Sequence, residues 1–281
     1  MLHEINPRKL NNQFAIETPE PDSYIIFVQG NTILCKIIDG ELTLPQYREV
    51  NLDDYRYLIR IDNDMFFSSW DASAIGILKS DGYEFHKPME LRPTSPDWLR
   101  YGALTAFSYA SWYEKNRYCG RCGAFMNHSD KERALICPDC GNIVYPKICP
   151  VIIVAVLHGE SILLTKYKSK VKIDRYALVA GFAEIGETIE ETVEREVMEE
   201  TGIHVKNLHF YKSQPWAFSD SLIFGFYCEA DGDEKPQPDG EELGFAEWIE
   251  REKLPQKQDC ESIISELIER FRVMGRAVLT D

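Results

Sequence analysis

The chain has no apolar run approaching the length of about 18 residues that a membrane-spanning helix needs. Its first residues, Met-Leu-His-Glu-Ile-Asn-Pro, lack the blocks of a secretory signal. Its last, Val-Leu-Thr-Asp, match no peroxisomal or retention signal. These absences predict a soluble, cytoplasmic protein with no membrane partner. Positive charge is scarce too: 31 Lys and Arg face 46 Asp and Glu, a net charge of −15. Such a balance excludes a protein that coats nucleic acid by bulk electrostatics. Internal repeats are missing, which excludes a solenoid or propeller.

What positive charge there is lies unevenly. Residues 115–175 hold eleven Lys and Arg against five Asp and Glu. Lys166, Lys168, Lys170, Lys172 and Arg175 crowd one short stretch, either a solvated hairpin or a basic rim for a polyanionic substrate. The eight cysteines are better read by spacing than as disulfides. Cys119-x2-Cys122 and Cys137-x2-Cys140 form two knuckles of a ribbon, and four thiolates complete a closed tetrahedral zinc site that serves folding. Cys35, Cys149, Cys228 and Cys260 show no pairing pattern and are expected to be buried thiols.

The densest information lies in residues 181–203. Thr188 and Glu191 have capping-box spacing, so a helix should begin near 188, and Gly202 can end it. Glu196, Glu199 and Glu200 then share one edge, beside a core-facing stripe of Ile189, Val193 and Val197. Carboxylates crowded beside an apolar stripe repel each other and lose hydration, penalties that a divalent cation removes. Oxygen ligands suit magnesium or manganese. Glu190, Glu191 and Glu194 point away and read as a solvated face, whereas Arg195 and Glu187 can pair to brace loop against helix. The full spacing, Gly181-x5-Glu187-x7-Arg195-Glu196-Val197-x-Glu199-Glu200-x-Gly202-Ile203, resembles the Nudix box of hydrolases that cut a diphosphate linked to a nucleoside.

Around the box, residues 1 to about 90 alternate apolar runs such as Tyr24–Val28, Thr32–Ile38 and Tyr57–Ile61 with turn signals, which predicts short strands. Residues 96–116 read as an amphipathic helix. Strands are expected at 149–157, 161–167, 176–179, 207–211, 220–228 and 242–249, with a closing helix over 262–274. The expected organisation is an N-terminal mostly-β domain (1–95), a linker helix and four-cysteine zinc ribbon (96–146), and a catalytic domain (147–281). The expected class is α/β, a Nudix α/β/α sandwich.

Downstream of the box, Ser213-Gln-Pro-Trp-Ala-Phe-Ser-Asp-Ser221 resembles the Ser-Gln-Pro-Trp-Pro-Phe-Pro-x-Ser motif of the NADH pyrophosphatase branch of Nudix hydrolases. That branch also places a four-cysteine ribbon before its catalytic domain, so the resemblance spans about residues 96–281. Ala217 and Ser219 stand where the motif has prolines, and Ile264 is larger than the family's alanine, which bears on the fit of the substrate.

The resemblance implies a homodimeric, metal-dependent enzyme that splits NADH or NAD into nicotinamide mononucleotide and AMP and also removes NAD caps from RNA. It implies that Glu196, Glu199, Glu200 and Glu242 bind magnesium or manganese, with Glu199 or Glu200 as the base. Tyr145, contributed by the second subunit, and Phe182 would stack on nicotinamide. Gln214, Trp216 and Ser221 would belong to the substrate segment. The alternatives are a Nudix hydrolase for ADP-ribose or a dinucleoside polyphosphate, and a zinc-ribbon nucleic-acid-binding protein with an inactive Nudix fold.

Overall fold

In the computed structural model the chain forms two compact units, Leu2–Lys147 and Ile148–Asp281, the latter together with Met1. The structure describes residues 1–168, 176–233, 235–238, 240–254, 256 and 261–280.

The C-terminal unit consists of β1 (Cys149–His158), β2 (Ser161–Tyr167), β3 (Val179–Phe182), α1 (Ile189–Thr201), β4 (Val205–Trp216), β5 (Ser221–Ala230), β6 (Leu243–Glu250) and α2 (Ile263–Met274). Its six strands form one mixed sheet in the order β4-β5-β1-β2-β6, with β3 paired to β1. β1 runs parallel to β5, aligning Ile152 with Phe224, and antiparallel to β3, aligning Ile152 with Gly181. The apolar run of β1 is buried on both faces because side chains alternate along a strand. Ile152, Val154 and Val156 pack with Val193 and Val197 of α1. Ile153, Ala155 and Leu157 pack with Ile263, Leu267 and Phe271 of α2. One helix on each face makes this unit an α/β/α sandwich.

Two strands differ from the sequence reading. The strand expected at 176–179 is β3, shifted to Val179–Phe182, and Ala177 makes only an isolated bridge to Thr165. Its register is set by β1, whose first half pairs with it from Val151 to Val154. The strand expected at 207–211 runs from Val205 to Trp216 and takes in Ser213–Trp216 of the downstream motif. β5 extends the pairing as far as Trp216↔Ser221, and Pro215 is tolerated because β4 lies at the sheet edge.

The Leu2–Lys147 unit holds two four-stranded sheets and a three-stranded ribbon sheet of Asn127–His128, Leu135–Ile136 and Ile143–Val144. Its core is built on Ile25, Phe27, Leu34 and Phe67. The helix Asp97–Lys115 buries most of its length. A second helix, Ala72–Ser80, was not expected. Asp71 caps it by accepting from the backbone N–H groups of Ser73 and Ala74. No helix among the described residues is long and apolar enough to cross a membrane.

Candidate active site

The box helix α1 begins as its sequence dictates. Thr188 Oγ1 accepts from the Glu191 N–H at 3.1 Å, and the Glu191 carboxylate accepts from the Thr188 N–H at 2.7 Å. Gly202 ends it with φ +69°, a left-handed conformation costly for other residues. Between these stops, Val193 and Val197 are buried, and the edge beside them presents Glu196, Glu199 and Glu200.

These three carboxylates have different surroundings. Glu200 is buried, at 4% exposure. The Glu196 side chain is 13% exposed and that of Glu199 61%. Glu196 reaches over Gly181 of β3, where a Cβ would overlap its carboxylate. Glycine in the first box position therefore makes room for Glu196. Burial raises the pKa of Glu196; Arg195 opposes that shift, and the charges of Glu199 and Glu242 add to it. Glu242, immediately before β6, is thus within electrostatic reach of Glu196.

Arg195 holds the loop and helix together. Its guanidinium donates to Glu187 at 2.5 and 3.0 Å, to Glu196 at 2.8 Å, to Glu199 at 3.1 Å and to the Phe182 carbonyl at 2.9 Å. Glu187 also accepts from the Glu184 N–H at 3.0 Å and the Thr192 hydroxyl at 3.0 Å. Arg195, assisted by these donors, holds the Glu187 carboxyl at about 2. The loop-bracing pair expected from the sequence is therefore present, and it extends to two of the candidate metal ligands.

Tyr167 was missed by sequence reasoning. It is 53% exposed, and its phenol pKa is raised by partial desolvation and by the charges of Glu200, Glu242 and Glu196, within whose electrostatic reach it lies. A β-bulge between Lys166 and Tyr167, opposite Leu243, sets its position. A single strand pattern carries no signal for such a bulge.

The candidate substrate residues scatter more widely. Phe182 is 53% exposed at the end of β3. Trp216 closes β4, its ring 4.9 Å from that of Phe218. Ser221 is buried at the start of β5, its hydroxyl 2.9 Å from that of Ser219. Gln214 is fully buried: its amide donates to the Glu261 carbonyl at 2.7 Å and accepts from the Ile263 N–H at 2.9 Å. Both ends of that amide fasten the start of α2 to β4. Tyr145 belongs to the other unit, where it is exposed and donates to Glu132 at 3.1 Å. Of the basic stretch, Lys166 lies 4.7 Å over the Tyr176 ring and Lys168 donates to the Gly240 carbonyl at 2.6 Å. Lys170, Lys172 and Arg175 lie outside the described residues.

Among the described residues, one group of three or more potential metal ligands converges, with all four Sγ atoms of Cys119, Cys122, Cys137 and Cys140 within 4.8 Å of one another. The Cys119–Cys140 and Cys122–Cys137 separations are 3.7 and 3.4 Å. Tetrahedral zinc with Zn–S bonds of about 2.3 Å needs sulfurs about 3.8 Å apart, so the four cysteines fit it. Backbone N–H groups of Arg121 and Cys122 pull the Cys119 thiol down to about 6, toward the thiolate that a metal requires. The glutamate oxygens do not converge to this degree; Arg195 holds Glu196 and Glu199, and like charges keep apart. Cys35 and Cys228 are buried thiols, Cys149 is half-buried, and Cys260 lies outside the described residues.

Comparison with known proteins identifies two domains in the chain. Residues 148–271 match the NUDIX domain and residues 114–145 the NADH pyrophosphatase zinc ribbon domain. The NAD-capped RNA hydrolase NudC of Pectobacterium atrosepticum is 43% identical over 169 residues, covering 60% of this chain and 64% of that protein. Its Escherichia coli counterpart is 42% identical over 168 residues, covering 60% and 65%. The chain thus spans somewhat less than two thirds of the length of these relatives. A solved Nudix hydrolase from Nitrosomonas europaea superimposes with a TM-score of 0.47 and 20% identity, over 56% of this chain and 90% of that one. With a complete box folded around Glu196 and Arg195, residues 148–271 form a Nudix domain, and an NADH pyrophosphatase zinc ribbon domain lies directly before it.

Proposed function

We propose that this protein hydrolyses the diphosphate bond of NADH and NAD to nicotinamide mononucleotide and AMP, and removes NAD caps from RNA 5′ ends. The observation that carries the reading is the seat of Glu196 over the bare Cα of Gly181, on the helix edge it shares with Glu199 and with the buried Glu200. This edge is anionic, partly desolvated and made of oxygen donors, which suits a hard divalent ion. Glu196, Glu199, Glu200 and Glu242 would hold magnesium or manganese. Bound there, such an ion supplies charge neutralisation for the diphosphate and a more acidic attacking water.

The chain's own residues do the rest. Glu199 or Glu200 takes the proton of the attacking water. Arg195 and Glu187 keep the carboxylates in register with the 182–187 loop. Phe182 offers an open ring for the nicotinamide, and Trp216 and Ser221 lie at the turn joining β4 to β5. Gln214 positions that strand rather than touching substrate. Tyr145 is assigned to the same pocket from a second copy, which makes the working form a homodimer. The relatives named as NAD-capped RNA hydrolases support the choice of substrate.

The test is to offer NADH, NAD, NAD-capped RNA, ADP-ribose and a diadenosine polyphosphate with magnesium or manganese and to identify the products. Nicotinamide mononucleotide is expected from the first three. Its absence from all of them overturns the reading, and ADP-ribose or the polyphosphate as sole substrate would select the alternative. Glu200→Gln is expected to lower turnover about a hundredfold or more. Unchanged turnover in that variant would remove Glu200 from the site.

A further inference from the structure

The Leu2–Lys147 unit contains a cavity of about 590 Å³ in which the established box has no part. It lies between the loop 14–18, the segment 53–57, the end of the helix Asp97–Lys115 and ribbon residues 125–130. Its volume is in the range of small-molecule sites. Residues 14–57 of its wall lie outside both matched family domains.

The walls are aromatic. Tyr55, Tyr57, Tyr113, Phe125 and His128 all line the cavity. The Tyr113 and His128 rings are 4.7 Å apart, and Trp70 adds to this cluster from an adjoining pocket of about 130 Å³. Phe125 is 54% exposed, and the Arg117 guanidinium already sits 5.9 Å from its ring centre. The rim is acidic. Glu17, Asp53 and Asp130 line the main cavity with Arg56 as its cation, and Arg56 is paired with Asp54 at 2.8 Å. Burial, with the Arg56 charge adding to it and Asp54 opposing it, holds the His128 imidazole down at about 4, so it adds no positive charge at neutral pH.

Aromatic faces attract cations through the ring quadrupole, and a rim of carboxylates adds to that attraction while repelling phosphate. We propose that this cavity binds a compact organic cation, of the trimethylammonium or N-alkylpyridinium type, either free or as the head of a modified side chain. The proposal does not rest on the proposed hydrolysis.

Calorimetric titration of the zinc-loaded full chain tests the proposal. One arm compares choline with its uncharged isostere 3,3-dimethylbutan-1-ol. The other compares a short trimethyllysine peptide with the same peptide carrying norleucine. Both cations are expected to bind at least about tenfold more tightly than their neutral counterparts. Asp53→Asn and Asp130→Asn should each weaken binding about threefold, and Phe125→Ala more, with zinc content and circular dichroism unchanged. Tighter binding of the peptide identifies a protein tail as the source; equal or tighter binding of choline identifies a free small molecule. Equal binding of the neutral isosteres overturns the proposal. So does displacement by AMP or a short RNA, indifference to all three substitutions, or no binding of either cation at about 10 mM.

Discussion

At the residue scale, Glu187 couples the box to pH. Its carboxyl titrates at about 2 in the fold against an ordinary 4.5, because Arg195 donates to it. A depressed carboxyl contributes stability that is complete above about 4.5 and is lost as pH falls through about 2. Glu187→Gln should therefore be less stable than the parent at pH 7, with the difference shrinking between pH 4.5 and 2. Urea midpoints at a series of pH values with chelator present measure this, and a constant difference would contradict it. Gly181 makes a second prediction. Alanine there drives a methyl group into the Glu196 carboxylate, so Gly181→Ala should fold yet lose about a hundredfold or more in hydrolysis. Parental activity in that variant would show that Glu196 need not sit where it does.

Elements differ in how much of them could be read locally. α1 was legible to the residue because its start and stop are local chemistry, the Thr188–Glu191 box and Gly202. β4 was not, because its length is decided by β5, which carries the pairing on to Trp216. The helix Ala72–Ser80 escaped because only Ala74 and Leu78 along it are buried, too few to declare a period. The shared edge of Glu196, Glu199 and Glu200 was readable from helical spacing, whereas Tyr167 depends on a bulge and Gln214 on a contact with a distant helix. That contact gives a prediction for α2. Gln214→Ala removes the side-chain hydrogen bonds to the Ile263 N–H and the Glu261 carbonyl and should cost about 1–3 kcal/mol. Hydrogen exchange at the start of α2 should quicken while exchange in α1 does not. Equal acceleration in both helices would argue against a local clamp.

For the whole molecule, the division into two units has a thermal consequence. The four-cysteine cluster lies in Leu2–Lys147, so stripping zinc should lower the transition of that unit by about 10 °C or more. The transition of Ile148–Asp281 is expected to stay in place. Calorimetry with and without a thiophilic chelator distinguishes this from a single transition that ignores zinc.

The twelve residues of β4 lie at the open edge of the sheet, a template on which foreign strands could add and aggregates could grow. Its register breaks twice, between Lys206 and His209 and between Phe210 and Lys212, and Asn207 sits at φ +52° within the first break. Pro215 then withholds an N–H near the end of the strand. These irregularities make the edge a poor template, so they help keep a long edge strand from recruiting its neighbours.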